Sequence, residues 1–267
     1  MTQLWGIVNV TPDSFSDGGR YASVEAAITH GRELLAAGAH VLDIGGESTR
    51  PGSERVPVEV EQHRVIPVIE ALAAEGATIS IDTMNASTAA AAVRAGARYV
   101  NDVAGGLADP DMYAAVADSG ADYVLGHWRG PSSDMYAQAH YTNVGAEVAA
   151  EVADRLAGAI AAGIAPERIV VDPGVGFAKT AEHNWALLRE LNHVTGLGHR
   201  VLIGTSRKRF LTTALGDSTT EEQRDLATAV TSVLAAQAGA WAVRVHNVAA
   251  SRDALAVART WQGVIDD

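Results

Sequence analysis

The chain contains no cysteine. Disulfides, zinc–thiolate sites, iron–sulfur clusters and thiol nucleophiles are therefore excluded. Positive charge is also scarce, because 20 lysines and arginines stand against 32 aspartates and glutamates and give a formal net charge of −12. A pI near 5.1 argues against non-specific binding to nucleic acid or to anionic membranes. It still allows a small anionic ligand held by local positive groups.

Long apolar runs are absent as well. No window approaches the ~20 apolar residues that a membrane helix requires. The opening MTQLWGIVNVTPDSF has neither the basic segment nor the apolar stretch of a secretory signal. We therefore expect a soluble protein of the cytoplasm that binds neither membrane nor nucleic acid. With 267 residues, 48% of them hydrophobic, the chain can bury a large core.

Eight short apolar runs recur along the chain, and each ends in a polar or glycine-rich stretch. They are LWGIVNV (4–10), HVLDIGG (40–46), TISIDT (78–83), YVNDVAGG (99–106), YVLGH (123–127), RIVVDPG (168–174), RVLIGTS (200–206) and AVRVHN (242–247). Their nearly continuous valine, isoleucine and leucine is typical of parallel strands buried on both faces. The sequence therefore predicts eight strands.

Segments with helical periodicity separate these runs. The clearest carries an i+4 apolar stripe formed by Val144, Val148, Val152, Leu156 and Ile160. Asp109-Pro110 is typical of an N-cap with a first-turn proline, and Thr219 with Glu222 fits a capping box. Eight strand–helix units predict an α/β fold, a single (β/α)8 TIM barrel in one domain over residues 1–267. A doubly wound open sheet is the alternative, since strand order cannot be derived from sequence.

Polar side chains follow all eight predicted strands. In chain order they are Asn9, Asp43 with Glu47, Asp82, Asn101 with Asp102, His127, Asp172, Ser206 with Lys208, and Arg244 with His246. In a barrel all these strand ends open on one face, where active sites are built. One such residue is usually a cap or turn residue, but polar groups at every end favour a functional site. Because they lack metal-ligand spacing, we expect no tightly bound transition metal.

Three segments carry the strongest functional signal. NVTPDSFSDGG (9–19) and GGESTRPG (45–52) are polar, glycine-rich loops of the kind that closes over a ligand. GTSRKRF (204–210) runs from a strand end into a predicted helix that starts with three basic residues, an arrangement that favours an anion. Together with Arg244 and His246 at the last strand end, this basic cluster predicts an anionic substrate.

These segments resemble the dihydropteroate synthase family. The motifs NVTPDSFSDGG, GGESTRPG, SIDT, NDV, DPGVGFAK, GTSRKRF and RVHN occur in the order and spacing of that family, across effectively the whole chain. The segment HWR (127–129) is most similar to actinobacterial members. The resemblance implies a (β/α)8 barrel and a transferase of folate biosynthesis. Its members join p-aminobenzoate to 6-hydroxymethyl-7,8-dihydropterin pyrophosphate, forming 7,8-dihydropteroate and releasing pyrophosphate.

The resemblance also implies a pterin site deep in the barrel mouth. The family's hydrogen-bonding residues correspond to Asp82, Asn101, Asp172 and Lys208. Carboxylates can accept from the aminopyrimidine edge of a pterin, and a lysine can donate to its carbonyl. By the same resemblance Val103 and Phe177 contact the ring faces, and Arg244 stacks on the ring.

For the pyrophosphate, the resemblance implies contacts from Arg244, His246 and Asn9. Asn9 is the family's contact to Mg²⁺, a hard ion whose other ligands would be pyrophosphate oxygens and water. The implied mechanism is SN1-like, with pyrophosphate leaving before the arylamine attacks. Residues of the two closing loops order around pyrophosphate in the family, and here they are Asp17, Thr49 and Arg50. The implied p-aminobenzoate pocket consists of Phe15, Thr49, Pro51 and Arg209.

Two positions depart from the family pattern. Gly126 stands where many members have a methionine that packs on the pterin, so we expect a gap or the entry of Trp128. Arg209 stands where many have a serine that contacts the p-aminobenzoate carboxylate, and an arginine is a suitable partner for that group. The other tryptophans are expected to fill the core or the gaps between helices and barrel: Trp5, Trp185, Trp241 and Trp261.

Two other functions remain open from sequence. One is a paralogue that binds pterins without condensing them. The other is methyl transfer from a methylated tetrahydrofolate to a corrinoid, which leaves Arg244, His246 and the two long loops unexplained. The family resemblance further implies inhibition by sulfonamides, which mimic p-aminobenzoate, and a homodimer formed through barrel helices.

Overall fold

The structure is a computed structural model that describes residues 1–10, 19–48, 55–130, 137–216 and 218–263. The strands are β1 (Gln3–Asn9), β2 (Val41–Gly45), β3 (Ile79–Asp82), β4 (Tyr99–Asp102), β5 (Asp122–Gly126), β6 (Ile169–Asp172), β7 (Arg200–Ile203) and β8 (Ala242–Val245). They pair in parallel and in chain order, and β8 closes the ring against β1, with Trp5 opposite Arg244. The eight predicted strands and the (β/α)8 barrel are confirmed, and the open-sheet alternative is wrong.

Helices follow the strands and cover the outside of the barrel. They are α1 (Gly19–Ala36), α2 (Val58–Ala74), α3 (Ala86–Arg94), α4 (Met112–Ser119), α5 (Val144–Ala161), α6 (Ala181–Arg189), α7 (Asn192–Thr195), α8 (Thr212–Leu215), α9 (Glu221–Gln237) and α10 (Val248–Trp261). Two 3₁₀ turns, Pro166–Arg168 and Arg209–Leu211, precede β6 and α8. Within the described ranges, no helix combines the length and apolarity needed to cross a membrane.

Helix α5 forms where the apolar stripe predicts it. Its first four stripe residues are buried, whereas Ile160 at the end of the stripe is 39% exposed. Asn143 caps the helix by accepting the backbone N–H of Ala146 at 3.0 Å. The predicted stripe therefore marks the face that packs on the barrel.

Two predicted helix starts are wrong by one or more residues. The N-cap of α4 is Asp111, two residues after the predicted Asp109. The Asp109 carboxylate still accepts the backbone N–H of Asp111 at 3.0 Å, and it also accepts that of Ala86 at 2.8 Å, at the first residue of α3. The capping box before α9 uses Thr220 and Gln223 in place of Thr219 and Glu222. Adjacent threonines are equally good caps by residue type, so the turn geometry decides between them.

The interior of the barrel is apolar at one end and polar at the other. Its lower layer consists of Trp5, Val41, Tyr99, Val124, Val170, Leu202 and Ala242. Side chains two positions apart on a strand share a face, so the next inward residues after four of these are Asp43, Asn101, Asp172 and Arg244. The apolar layer closes the amino-terminal end of the barrel, and the polar layer opens at the carboxyl-terminal end.

The tryptophans follow the expected pattern with one exception. Trp5 is fully buried, with its ring centroid 4.9 Å from Tyr99 and 6.1 Å from Trp241. Trp185 packs edge-on against Phe210 between α6 and the segment after β7. Trp261 at the end of α10 is 89% exposed, so its expected burial is wrong.

Candidate active site

Arg244 lies at the mouth of the barrel between two buried carboxylates. Its Nη2 donates to Asp82 Oδ2 at 2.7 Å, and its Nε donates to Asp43 Oδ2. Asn101 Nδ2 donates to the same Asp43 oxygen at 3.1 Å. The parallel register sets Gly45 opposite Asp82 and Asp82 opposite Asn101, so these groups meet at one height in the barrel. The structure thus brings together three of the predicted site residues, with Asp43 beneath them.

Burial governs the charges of this group. It raises the pKa of Asp82 to about 7, because loss of water disfavours the carboxylate; Arg244 opposes this shift and Asp43 adds to it. Burial alone lowers the pKa of Arg244, but the carboxylates of Asp43 and Asp82 more than offset that effect and raise it. The mouth therefore holds a permanent cation beside a carboxyl group that changes charge near neutral pH.

Lys208 reaches the site from the turn after β7. Its Nζ donates to the carbonyl of Val175 and lies 4.8 Å from the centroid of the Phe177 ring. A Cβ at Gly176, where φ is 88°, would lie 2.9 Å from Lys208 Cδ, so glycine there leaves room for the lysine. Burial lowers the pKa of Lys208 to about 8, although the Asp172 carboxylate acts to raise it. The segment between β6 and α6 therefore supports Lys208.

Asp172 at the end of β6 completes this side of the site. One carboxylate oxygen accepts the backbone N–H of Gly174 at 2.8 Å. Burial raises its pKa, and the nearby Lys208 ammonium opposes the shift. Asp172, Phe177 and Lys208, all predicted from sequence, are thus neighbours in the structure.

Lys179 is a buried residue that the sequence analysis did not single out. Its Nζ contacts His127 Nδ1 at 2.9 Å and donates to the carbonyls of Gly174 and Phe177, each at 3.0 Å. Burial lowers its pKa well below the ordinary range. Lys179 thereby fixes the turn that carries Asp172 and Phe177. The available signal was a lysine directly after the glycine-rich DPGVGFA, but its burial depends on tertiary packing.

His127 extends this network outward from β5. Its Nε2 lies 3.0 Å from Glu151 Oε2 on α5, and Arg129 pairs with the same carboxylate. Burial, together with the neighbouring Lys179, lowers the pKa of His127 to about 3. The imidazole is therefore neutral and links β5, β6 and α5.

Arg207 does not serve the predicted anion site. It forms a two-point ion pair with Asp225 of α9, at 2.6 and 2.9 Å, and contacts Glu221 at 3.0 Å. Its φ is 56°, a left-handed value that is uncommon for a residue with a Cβ. The predicted helix start at this basic cluster is also wrong, since the segment is a turn followed by a 3₁₀ turn from Arg209. Arg209 itself is exposed.

His246 stands beside the turn after β7. Its Nδ1 lies 2.9 Å from Ser206 Oγ, and that oxygen accepts the backbone N–H of His246 at 3.0 Å. Ser206 is buried, whereas His246 and Arg244 are half-buried. The end of β8 therefore presents Arg244 and His246 at the mouth, beside the turn that follows β7.

Gly126 leaves no gap in the site. A Cβ at this position would lie 2.5 Å from the carbonyl oxygen of Val103 and 2.7 Å from that of Asp102. The backbone of the β4 end thus fills the volume beside Gly126, and the expected gap is wrong. A side chain at position 126 would therefore require the backbone at the end of β4 to shift.

Two glutamates fix chain segments on either side of α2 and β3 near the site. Glu47 pairs with Arg55 at 2.9 Å and accepts the backbone N–H of Val56 at 3.2 Å. Glu61, which the sequence analysis did not single out, is 1% exposed. It accepts three hydrogen bonds, at 2.6 to 2.7 Å, from Thr83, Asn85 and Thr88. These contacts fix the chain next to the end of β3, where Asp82 lies.

The remaining predicted residues divide into two groups. Asn9 ends β1, and Val103 directly follows β4; both are half-buried. Outside the described residues lie Phe15, Asp17, Thr49, Arg50 and Pro51. Among the residues that the structure describes, no group of three or more histidines and carboxylates converges as a metal site.

Comparison with known proteins identifies the family of this chain. The family model described as pterin binding enzyme matches residues 5–246. The dihydropteroate synthase of Mycobacterium leprae (strain TN) is 50% identical over 97% of this chain and 93% of its own length. The Xanthomonas albilineans dihydropteroate synthase structure with 4-aminobenzoic acid superposes with a TM-score of 0.92 at 47% identity, covering 99% of this chain and 94% of that one. The Yersinia pestis dihydropteroate synthase with a sulfonamide drug superposes with a TM-score of 0.91 at 35% identity, covering 98% and 94% of the two chains.

A barrel with this mouth and this family match defines a pterin binding enzyme. The similar proteins named above are all dihydropteroate synthases, one family within that class. The chain belongs to the dihydropteroate synthase family, whose members are transferases.

Proposed function

We propose that the chain condenses 6-hydroxymethyl-7,8-dihydropterin pyrophosphate with p-aminobenzoate, forming 7,8-dihydropteroate and pyrophosphate. The observation that carries this proposal is the polar ring at the barrel mouth, where Asp82, Asn101 and Asp172 face Lys208 and Arg244 above an apolar interior. Such a ring offers acceptors and donors to a flat heterocycle and positive charge to an anion.

Pterin recognition uses the buried members of the ring. Asp82 and Asp172 accept from the aminopyrimidine edge, while Lys208 donates to the ring carbonyl. Arg244 pairs with Asp82. Pterin binding therefore requires that the arginine share this carboxylate with the ligand or release it. Phe177, already beside the Lys208 ammonium, supplies a ring face.

Departure of pyrophosphate is the step that Arg244 and His246 assist. The bond from the exocyclic methylene to the pyrophosphate oxygen breaks, and both electrons leave with the oxygen. Arg244 and His246 stabilise the charge that grows on the leaving group. The methylene cation is conjugated with the electron-rich pterin. The nitrogen of p-aminobenzoate then attacks this cation and loses a proton.

Asn9 is the proposed protein contact for Mg²⁺. Its amide oxygen is a hard neutral donor at the end of β1. Among the described residues, no group of three or more histidines and carboxylates converges to hold a metal ion. This donor set fits a cation that takes most of its ligands from pyrophosphate and water. When bound, Mg²⁺ supplies charge neutralisation of the pyrophosphate.

The second substrate occupies the outer part of the mouth. We assign its pocket to Phe15, Thr49, Pro51 and Arg209, and closure around pyrophosphate to Asp17, Thr49 and Arg50. Arg209 is exposed at the described edge of the site and carries the charge that an aromatic carboxylate needs. Sulfonamides compete for the same pocket. In support, solved relatives hold 4-aminobenzoic acid in one case and a sulfonamide drug in another.

A second copy of this chain is the proposed partner of α9 and α10. Large exposed apolar side chains cluster on these two neighbouring helices: Leu226, Val230, Leu234, Val257 and Trp261. Leu234 is 56% and Trp261 is 89% exposed. Exposed apolar side chains on two helices in contact favour an interface there, and a twofold dimer would cover both helices at once.

The test of the proposed reaction combines the purified chain, Mg²⁺, the pterin pyrophosphate and labelled p-aminobenzoate. We expect dihydropteroate and pyrophosphate in equal amounts, and no product when either substrate is omitted. Pterin binding without product would indicate the binding-only paralogue. Methyl transfer from a methylated tetrahydrofolate to a corrinoid, with no condensation, would indicate the methyltransferase.

A further inference from the structure

Ser206 and His246 form a pair that the barrel register creates. β7 and β8 are parallel with Leu202 opposite Ala242 and Ile203 opposite Val243. The same offset of 40 residues carries past the strand ends to Ser206 and His246, whose hydrogen bonds have that separation. The pair is therefore set by the fold.

The donors of this pair limit where its protons can lie. The backbone N–H of His246 can only donate, so Ser206 Oγ is its acceptor at 3.0 Å. The serine hydroxyl has one proton of its own, and His246 Nδ1 lies within hydrogen-bond reach of Oγ at 2.9 Å. When the serine donates this proton to Nδ1, the imidazole carries its own proton on Nε2.

Asp225 on α9 binds the residue that follows each member of the pair. It binds Arg207, the residue after Ser206, through Nε and Nη2. It also accepts from Nδ2 of Asn247, the residue after His246, at 3.1 Å. The backbone N–H of Arg207 donates to Thr228 Oγ1 at 3.2 Å, and these contacts maintain the left-handed φ of Arg207. The turn after β7 and the end of β8 are therefore fixed relative to each other.

We propose that Ser206 is a positioning residue that donates its hydroxyl proton to His246 Nδ1 and so fixes the imidazole in the Nε2–H tautomer, which presents an N–H donor to the departing pyrophosphate. The pyrophosphate role rests on the proposed function, whereas the tautomer is a property of the ligand-free protein. A fixed N–H donor stabilises the growing negative charge without first having to be protonated or turned.

The first test measures the ring nitrogens of His246 by long-range ¹H–¹⁵N NMR in the ligand-free protein, with His246→Gln to assign the signal. We expect an unprotonated Nδ1 and a protonated Nε2. Ser206→Ala should move both nitrogens toward averaged values. Thr205→Val is the matched control, because it removes a hydroxyl of the same turn that contacts Thr231 at 2.8 Å; it should leave the signals unchanged. A protonated Nδ1 in the wild type, or an unchanged spectrum in Ser206→Ala, would overturn the proposal.

The second test is a double-mutant cycle on turnover. Ser206→Ala should lower kcat/KM for the pterin pyrophosphate about tenfold, as loss of a residue that orients another typically does, and leave KM for p-aminobenzoate unchanged. In the His246→Gln background the same substitution should have almost no effect, because Ser206 acts through His246. An equal loss in both backgrounds would contradict the proposal. Absence of turnover in the wild type, with the Nε2–H tautomer present, would refute the proposed function and still support the tautomer.

Discussion

The carboxyl of Asp82 and the ammonium of Lys208 have pKa values that lie close together, near neutral pH. Burial raises the pKa of Asp82 to about 7 and lowers the pKa of Lys208 to about 8. Below pH 7 the carboxyl is protonated and is a poorer acceptor for an aminopyrimidine; above pH 8 the lysine loses its charge. The productive form of the free protein is therefore most populated between these two values.

We accordingly predict a bell-shaped pH profile of kcat/KM for the pterin pyrophosphate, since this parameter reports ionisations of the free enzyme. It should rise with a midpoint near pH 7 and fall with a midpoint near pH 8. Asp82→Asn should be much less active and should lack the rising limb, because the amide does not titrate. A flat profile between pH 6 and 9, or a rising limb that persists in Asp82→Asn, would count against the assignment.

Single substitutions should separate pterin binding from loop closure. Lys208→Ala removes a charged hydrogen bond and should weaken pterin binding roughly 10- to 150-fold, from about 1.5–3 kcal/mol. Arg50→Ala should leave the pterin Kd within about twofold and lower kcat, since the proposed role of Arg50 comes after pterin binding. Calorimetry and steady-state rates on both variants measure this difference. Equal loss of pterin affinity in the two variants would refute it.

Helix α5 offers a test at the scale of one element. Gly158 lies on its exposed face, where an added Cβ would meet only Tyr113 Cε2 at 3.4 Å. Gly145 in its first turn is buried, and a Cβ there would lie 2.8 Å from Glu190 Cβ and 2.6 Å from Glu190 Oε2. The same substitution should therefore have opposite effects at the two positions of one helix.

Gly158→Ala should raise the free energy of unfolding by about 0.5–1 kcal/mol, because alanine loses less backbone entropy in a helix. Gly145→Ala should lower it by about 1–3 kcal/mol through overpacking against Glu190. Urea unfolding of both variants measures these changes. A stabilised Gly145→Ala would show that Glu190 moves aside, contrary to this packing.

The elements also show how far sequence could go. All eight strands were predictable because continuous apolar runs are uncommon outside buried strands, and Asp82, Asn101 and Arg244 met because parallel strands share one open end. Residue type alone did not predict the ion pair of Arg207 with Asp225, since their contact joins a turn to a helix 18 residues away. The burial of Lys179 depended likewise on packing between distant segments.

At the scale of the whole molecule, the apolar surface of α9 and α10 predicts a dimer. Leu234→Glu should shift the protein to a monomer, because the change keeps helix propensity and puts a charge into the proposed interface. Leu107→Glu is the matched control, since Leu107 is equally exposed, at 57%, and lies outside these helices. Light scattering after size exclusion should give dimers for the wild type and for the control. A monomeric wild type would refute the dimer.

We propose above that the polar ring at the barrel mouth is the pterin pyrophosphate site. The most direct measurement is a crystal structure of the chain with that substrate or a non-reactive analogue. We predict the pterin between Asp82, Asn101, Asp172 and Lys208, with Asp82 accepting from the ligand and the pyrophosphate beside Arg244 and His246. A ligand bound elsewhere, with Arg244 still paired to both Asp43 and Asp82 across an empty mouth, would contradict the account.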